Sequence, residues 1–216
     1  MKLTSRDIAI LQFINEFGFC EMPQLNQRFA LRKPRNYQIV NKLIRHNLLQ
    51  HERIFYQRHG LFRLTQAGSR FTSLPPLHRV PLANYQHDLA VLSVYLKLKA
   101  FYPNATWISE RKLKHDKYKL GVGQQGHLPD GILVFPDGKQ IAIEVELSCK
   151  SKQRLESILK TYAAQFSLQE VWYFCRPTML PRLQEAAKGM PPFIKIHSLS
   201  EFLEKQPADL NVNAGT

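Results

Sequence analysis

The run Ile141-Ala142-Ile143-Glu144-Val145-Glu146-Leu147 alternates apolar and acidic residues with a period of two. That commits it to a strand with two unlike faces, because successive side chains on a strand point to opposite sides. Ile141, Ile143, Val145 and Leu147 belong to an apolar face, and Glu144 and Glu146 share the other. Pro129-Asp130 stands just ahead of the preceding strand, expected at 131–135, and a Pro136-Asp137-Gly138 turn joins the two. Three carboxylates on two neighbouring strands form an oxygen-only donor set. Hard cations such as Mg²⁺ or Mn²⁺ take such donors, usually a few carboxylates completed by water and substrate phosphate.

The 216 residues are 44% apolar and 22% charged, which suits a globular chain of one or two domains. The net charge of +13 is uneven, since residues 1–80 hold 13 Lys/Arg against 4 Asp/Glu and the rest hold 17 against 13. A cationic front third favours a polyanionic partner, because lysines and arginines gain affinity for nucleic acid by releasing counterions. No apolar stretch approaches the roughly 20 residues needed to span a bilayer, so the expectation is a cytoplasmic protein with no membrane partner. Cys20, Cys149 and Cys175 are widely spaced and form no Cys-x-x-Cys pair, which predicts reduced thiols. The eight histidines include no His-x-x-x-His pair, so a zinc site is not expected.

Helical spacing of Ile8, Leu11, Ile14 and Phe17 behind Thr4 or Ser5 predicts a first helix over 4–17. A second is expected over 21–29 and a third from Pro34 to His46, with the proline in the first turn. The pattern then becomes extended over 48–56 and again over 61–64, around a Gln57-Arg58-His59-Gly60 turn, which predicts a two-stranded wing. Three helices, a hairpin and the closing Leu64-Thr65-Gln66-Ala67-Gly68 resemble the winged helix-turn-helix family of bacterial DNA-binding domains over residues 4–72. The resemblance implies that the third helix enters the major groove of double-stranded DNA. It would be led by Arg32, Lys33, Arg35, Asn36 and Gln38, with Lys42 and Arg45 nearer its end. Arg53, Arg58 and His59 would rest the wing on the backbone or minor groove. Tyr37 is read as packing rather than as a nucleophile, since no activating base adjoins it.

Residues 73–83 carry three prolines, which predicts a stiff linker between a first domain at 1–72 and a second at 84–205, ahead of a disordered tail at 206–216. The expected order of the second domain is a long helix from Asn84 to Phe101, a strand at 106–110, a basic loop and the two strands already described. A helix at 151–166, a strand at 170–175 and a helix after Pro181 follow. The basic loop holds six basic residues in nine between Arg111 and Lys119, and is expected as a mobile clamp or a solvated hairpin. Gly121-Val122-Gly123-Gln124-Gln125-Gly126 matches a dinucleotide fingerprint in letters only, because a strand rather than a helix comes next. It is read as a loop that admits DNA. His127 is a candidate contact to phosphate.

That order, with Pro-Asp before one strand and Glu-x-Glu within the next, resembles the PD-(D/E)XK nuclease superfamily over about residues 84–176. The fold class expected is therefore α/β in the α+β sense, a winged helix-turn-helix followed by a restriction-endonuclease-like αβββαβ domain. The resemblance implies that Asp130 and Glu144 bind a catalytic Mg²⁺ or Mn²⁺. Glu146 occupies the family's lysine position, where some restriction endonucleases also have Glu as a ligand or base. Lys150 or Lys152 would supply the displaced ammonium, and Asp88 in His87-Asp88 would be the acidic residue of the first helix. Leu155, Ile158, Leu159, Tyr162 and Phe166 are read as core, not site.

His-Asp-Leu, Pro-Asp-Gly and Glu-Val-Glu-Leu-Ser-x-Lys-Ser behind a winged helix are also similar to the replication-relaxation and plasmid-mobilisation proteins of bacterial mobile elements. This implies a relaxase-like, metal-dependent nicking or cleavage of DNA in conjugation, alongside other relaxosome proteins. The alternative is a noncatalytic relaxosome accessory factor or transcriptional regulator whose nuclease fold has degenerated.

Overall fold

The computed structural model describes residues 2–120, 127–148, 152–163, 168–189 and 192–206, and it is a mixed α/β protein. It divides into two compact units, Met1–Leu92 and Ser93–Thr216.

The first unit runs α1 (Ser5–Phe17), β1 (Cys20–Glu21), α2 (Met22–Phe29), α3 (Arg35–Arg45), β2 (Leu49–Glu52), β3 (Leu61–Leu64) and α4 (Gln66–Ser69). Thr4 starts α1 with a reciprocal cap: its hydroxyl accepts from the Asp7 amide, and the Asp7 carboxylate accepts from the Thr4 amide. Gly18, at φ 82°, ends the helix in a backbone region that other residues avoid. The strands form an antiparallel sheet in the order β1-β3-β2. The short β1 takes Cys20 from the expected connection and Glu21 from the start of the expected second helix, which begins at Met22. Two residues are too few to leave a periodicity.

The closing Leu-Thr-x-x-Gly has a mechanical explanation. The Thr65 hydroxyl donates to the Asn47 carbonyl beyond α3 and accepts from the Gly68 amide, so it caps α4 and ties it to the end of α3. A Cβ at Gly68 would meet the Leu48 carbonyl oxygen at 2.0 Å, which leaves no room for any other residue.

The expected linker at 73–83 is packed onto this unit. Leu74 and Val80 are buried, and the Asn15 amide donates to the Thr72 hydroxyl at 2.7 Å and to the Leu74 carbonyl at 2.6 Å. After a 3-10 turn at Leu82–Asn84 comes α5 (Tyr85–Phe101), whose first residue stacks on Phe19 and hydrogen-bonds Glu21. The division between units therefore falls inside α5, some ten residues beyond the proline-rich stretch. Prolines stiffen a chain without deciding whether its apolar residues find a core, and here Val80 and Tyr85 do.

The second unit contains β4 (Thr106–Ser109), α6 (Glu110–Lys119), β5 (Gly131–Val134), β6 (Gln140–Glu146), α7 (Lys152–Ala163) and β7 (Glu170–Cys175). A 3-10 turn then leads to α8 (Leu180–Ala187), β8 (Ile194–Ser198) and α9 (Leu199–Glu204). The sheet order is β4-β5-β6-β7-β8, antiparallel as far as β6 and parallel from there. Ala142, Val171, Tyr173 and Cys175 on one face pack against Leu155, Ile158, Leu159 and Tyr162 of α7 and Leu183 and Ala186 of α8.

Two expectations are corrected here. The basic run after β4 is helix α6 rather than a loop: Ser109 accepts from the Lys112 amide at its start, and the pairs Lys112–Asp116 and Lys114–Glu110 align along it. Charge density alone hid a regular i,i+4 pattern. β8 and α9 were not anticipated, because Ile194-Lys195-Ile196-His197 is too short and too polar to stand out as a fifth strand. The glycines at 121–126 and the tail from 207 lie outside the described residues.

Candidate nucleic-acid face and carboxylate site

On α3 the buried residues Asn36, Val40 and Leu43 form the inner stripe, and Arg35, Gln38 and Arg45 are exposed on the other side. Arg32 and Lys33 are exposed just before the helix, with the Lys33 ammonium 5.9 Å from the centre of the Tyr37 ring. Arg53, Arg58 and His59 are exposed in the connection between β2 and β3.

Two expected readers are used inside the fold instead. Asn36 is 1% exposed; its amide nitrogen donates to the Asn26 side chain at 3.0 Å, and its oxygen accepts from the Tyr37 amide at 2.8 Å. Lys42 donates to both carboxylate oxygens of buried Asp7, at 2.7 and 2.6 Å. Burial works to raise the Asp7 pKa, but the Lys42 ammonium and the Thr4 cap outweigh it and hold it below the usual carboxylate value. Helical periodicity places Asn36 within a turn of Arg35 but does not tell which side of the helix is covered.

In the second unit the carboxylates gather at the end of β5. Pairing of β5 with β6 stops at Gly131↔Ile143, so the Val145 amide lies past the last partner of that strand. The Asp130 carboxylate takes its place, accepting from the Val145 amide at 2.7 Å, while the Asp130 carbonyl accepts from the Glu110 amide at 3.1 Å. The Pro-Asp dipeptide thus leads into β5 and pins its carboxylate at the amide between Glu144 and Glu146 on β6.

Glu144 and Glu146 are both buried, on the face that carries Tyr173 and Cys175 in the neighbouring β7 register. One carboxylate oxygen of Glu144, Oε1, accepts from the Tyr162 hydroxyl and lies 2.6 Å from the His127 Nε2. His127 also meets the Tyr162 ring edge-on, with centroids 5.6 Å apart. Burial raises the Glu144 pKa, and Asp130's charge adds to that; the His127 and Tyr162 hydrogen bonds pull the other way without cancelling it. Burial, with Glu144's charge and hydrogen bond, pushes the Tyr162 phenol well up, so the hydroxyl stays a donor. Glu146 accepts from the Ser148 amide and hydroxyl at 3.3 and 3.4 Å.

Helical spacing alone assigns Tyr162 to the core. Its ring is core, yet its hydroxyl reaches the acidic face. The available signal was a tyrosine, rather than phenylalanine, on the apolar stripe of the helix that follows the Glu-x-Glu strand. Asp88 belongs to the first unit, half-buried in the first turn of α5, with its carboxylate 3.4 Å from the His87 Nδ1. Lys150 and the Lys152 side chain lie outside the described residues.

Among the described residues, no three His, Cys, Asp or Glu side chains converge closely enough to chelate a metal by themselves. The donor set nonetheless suits a hard cation that keeps much of its water, because such ions need only one or two protein carboxylates. A second observation points the same way. The Tyr173 hydroxyl is buried without a hydrogen-bond partner among the described residues, and Tyr173 is the β7 register partner of Glu144. Asp130 and Glu144 would hold the ion, with Glu146 beside them.

No helix among the described residues is long and apolar enough to cross a membrane. No known family's sequence profile matches the chain, and no curated protein matches it.

Proposed function

We propose that this chain is a DNA-processing protein whose first unit docks on duplex DNA and whose second unit cleaves or nicks a phosphodiester with a divalent cation. The observation that carries the proposal is the hydrogen bond from the Val145 amide to the Asp130 carboxylate at 2.7 Å, which holds Asp130, from just ahead of β5, beside the β6 backbone next to Glu144. Carboxylates kept together under a helix are costly unless a cation or a proton joins them. A cation held there would supply Lewis acidity to the phosphate and a more acidic bound water.

The chain's own groups have separable parts in this scheme. The Val145 amide fixes Asp130, and Tyr162 and His127 fix Glu144 through Oε1, so both carboxylates are oriented before any ligand arrives. In the first unit, the helix and strand order and the β1-β3-β2 sheet support the winged-helix reading. Arg32, Lys33, Arg35, Arg45, Arg53 and Arg58 supply the positive face, with the neutral Gln38 exposed among them. A role in mobilising plasmid or other mobile-element DNA is part of the same proposal.

A second reading is a noncatalytic DNA-binding factor, and Glu146 favours it. An acidic residue with only 4% exposure occupies the position where the resembling nucleases carry a lysine. Incubation of supercoiled plasmid with Mg²⁺ or Mn²⁺ separates the two. Cleavage by the wild type that is lost in Asp130→Ala and Glu144→Ala supports the first reading. Cleavage retained in both variants, or absent from the wild type, overturns it.

A further inference from the structure

Tyr173 lies on β7 directly beside Glu144, and the next residue on the same face, Cys175, lies beside Glu146. Its ring belongs to the core between the sheet and α7 and α8, and the residue is 1% exposed. Phenylalanine would fill that role equally well. The hydroxyl, however, has no hydrogen-bond partner among the described residues. Buried polar atoms in native proteins almost always have one, because a hydroxyl stripped of water and left alone is destabilising. The neighbouring Tyr162 hydroxyl is already committed to Glu144. Glu144 is the register partner of Tyr173, Glu146 follows it on the same face of β6, and the Asp130 carboxylate is held at the Val145 amide between the two. A tyrosine hydroxyl can both donate and accept, which matches a water molecule that itself touches a cation and a carboxylate.

We infer that Tyr173 is a positioning residue for a hydrated divalent cation, its hydroxyl holding a water of the ion's hydration shell among Asp130, Glu144 and Glu146. This rests on the cation reading of the carboxylate site, and adds to it a group from a strand outside the Pro-Asp and Glu-x-Glu pattern. Groups that orient the surroundings of a metal in this way typically contribute 10- to 100-fold to its affinity.

The test is calorimetric titration of the metal-free full chain with Mn²⁺, alongside thermal melts of wild type, Tyr173→Phe and Glu144→Gln. Tyr173→Phe should weaken Mn²⁺ binding about tenfold or more and reduce the metal-induced rise in melting temperature. The metal-free melting temperature should stay unchanged or rise, since the variant loses only an unpartnered hydroxyl. Glu144→Gln should weaken binding more strongly. Equal Mn²⁺ affinity in wild type and Tyr173→Phe overturns this inference and leaves the cation site standing. A metal-free Tyr173→Phe that melts well below wild type, or does not fold, also overturns it, because the hydroxyl would then be tied within the fold. A wild type that binds no Mn²⁺ removes the cation site and this inference together.

Discussion

The Tyr162 hydroxyl on α7 donates to Oε1 of Glu144 on β6, so a helix expected to be purely apolar on its inner side holds the buried carboxylate in place. Removing that donor with Tyr162→Phe keeps the ring and deletes one bond to a charged acceptor. The expected loss is about 1–3 kcal/mol of unfolding free energy, read by denaturant titration of the metal-free protein. His127→Ala should cost less, because the His127 side chain is 27% exposed and water can replace it at Oε1. Equal losses would mean that the two donors are not distinguished by burial.

The basic residues of α3 should separate into two groups. Arg35→Ala and Arg45→Ala should each weaken binding to duplex DNA and lower the salt slope by about one unit, with little change in stability. Lys42→Ala should mainly destabilise, by about 1–3 kcal/mol, because it leaves the buried Asp7 carboxylate without its ammonium. Asn36→Ala should likewise reduce stability through the loss of its bond to Asn26. Fluorescence anisotropy at several salt concentrations, paired with thermal melts, checks the division.

Gly68→Ala should be among the more damaging small substitutions in the first unit. The added methyl would collide with the Leu48 backbone carbonyl, not with a side chain that could move aside. Overpacking of this kind costs about 1–3 kcal/mol, and Ala67→Gly, one residue earlier, provides the comparison. A Gly68→Ala protein that melts with the wild type would refute the packing account of the closing motif.

Glu170 should shape the acid limb of the stability curve. It accepts from the Lys139 ammonium at 2.6 Å and from Trp172 Nε1 at 2.6 Å, and pairs with Lys195 at 2.8 Å. Burial alone would raise its pKa, but the three donors together bring it down to about 2. A lowered folded-state pKa means that the unfolded chain binds more protons in the window between the two values. The stabilisation is therefore complete above the unfolded value of about 4.3 and is lost as pH falls towards 2. Glu170→Gln should be less stable than wild type at pH 7, and the gap should close by about pH 2. A constant gap across that range would assign the effect to packing.

Elements whose signal is local were legible in the chain. The Glu-x-Glu run could only alternate faces, so the shared side of Glu144 and Glu146 followed from the two-residue period of a strand. Thr4 or Ser5 marked the start of the first helix through capping chemistry that acts within one turn, and the cap falls on Thr4. Asn36, Lys42, Tyr162 and Tyr173 were not legible in this way. Each is ordinary by type and spacing, and its role depends on which residue from a distant part of the chain lies opposite: Asn26, Asp7, Glu144 and the carboxylate cluster. Periodicity tells which residues of one element share a side. Only the packing of one element on another determines which side is buried, and so whether a polar group meets solvent, a partner or neither.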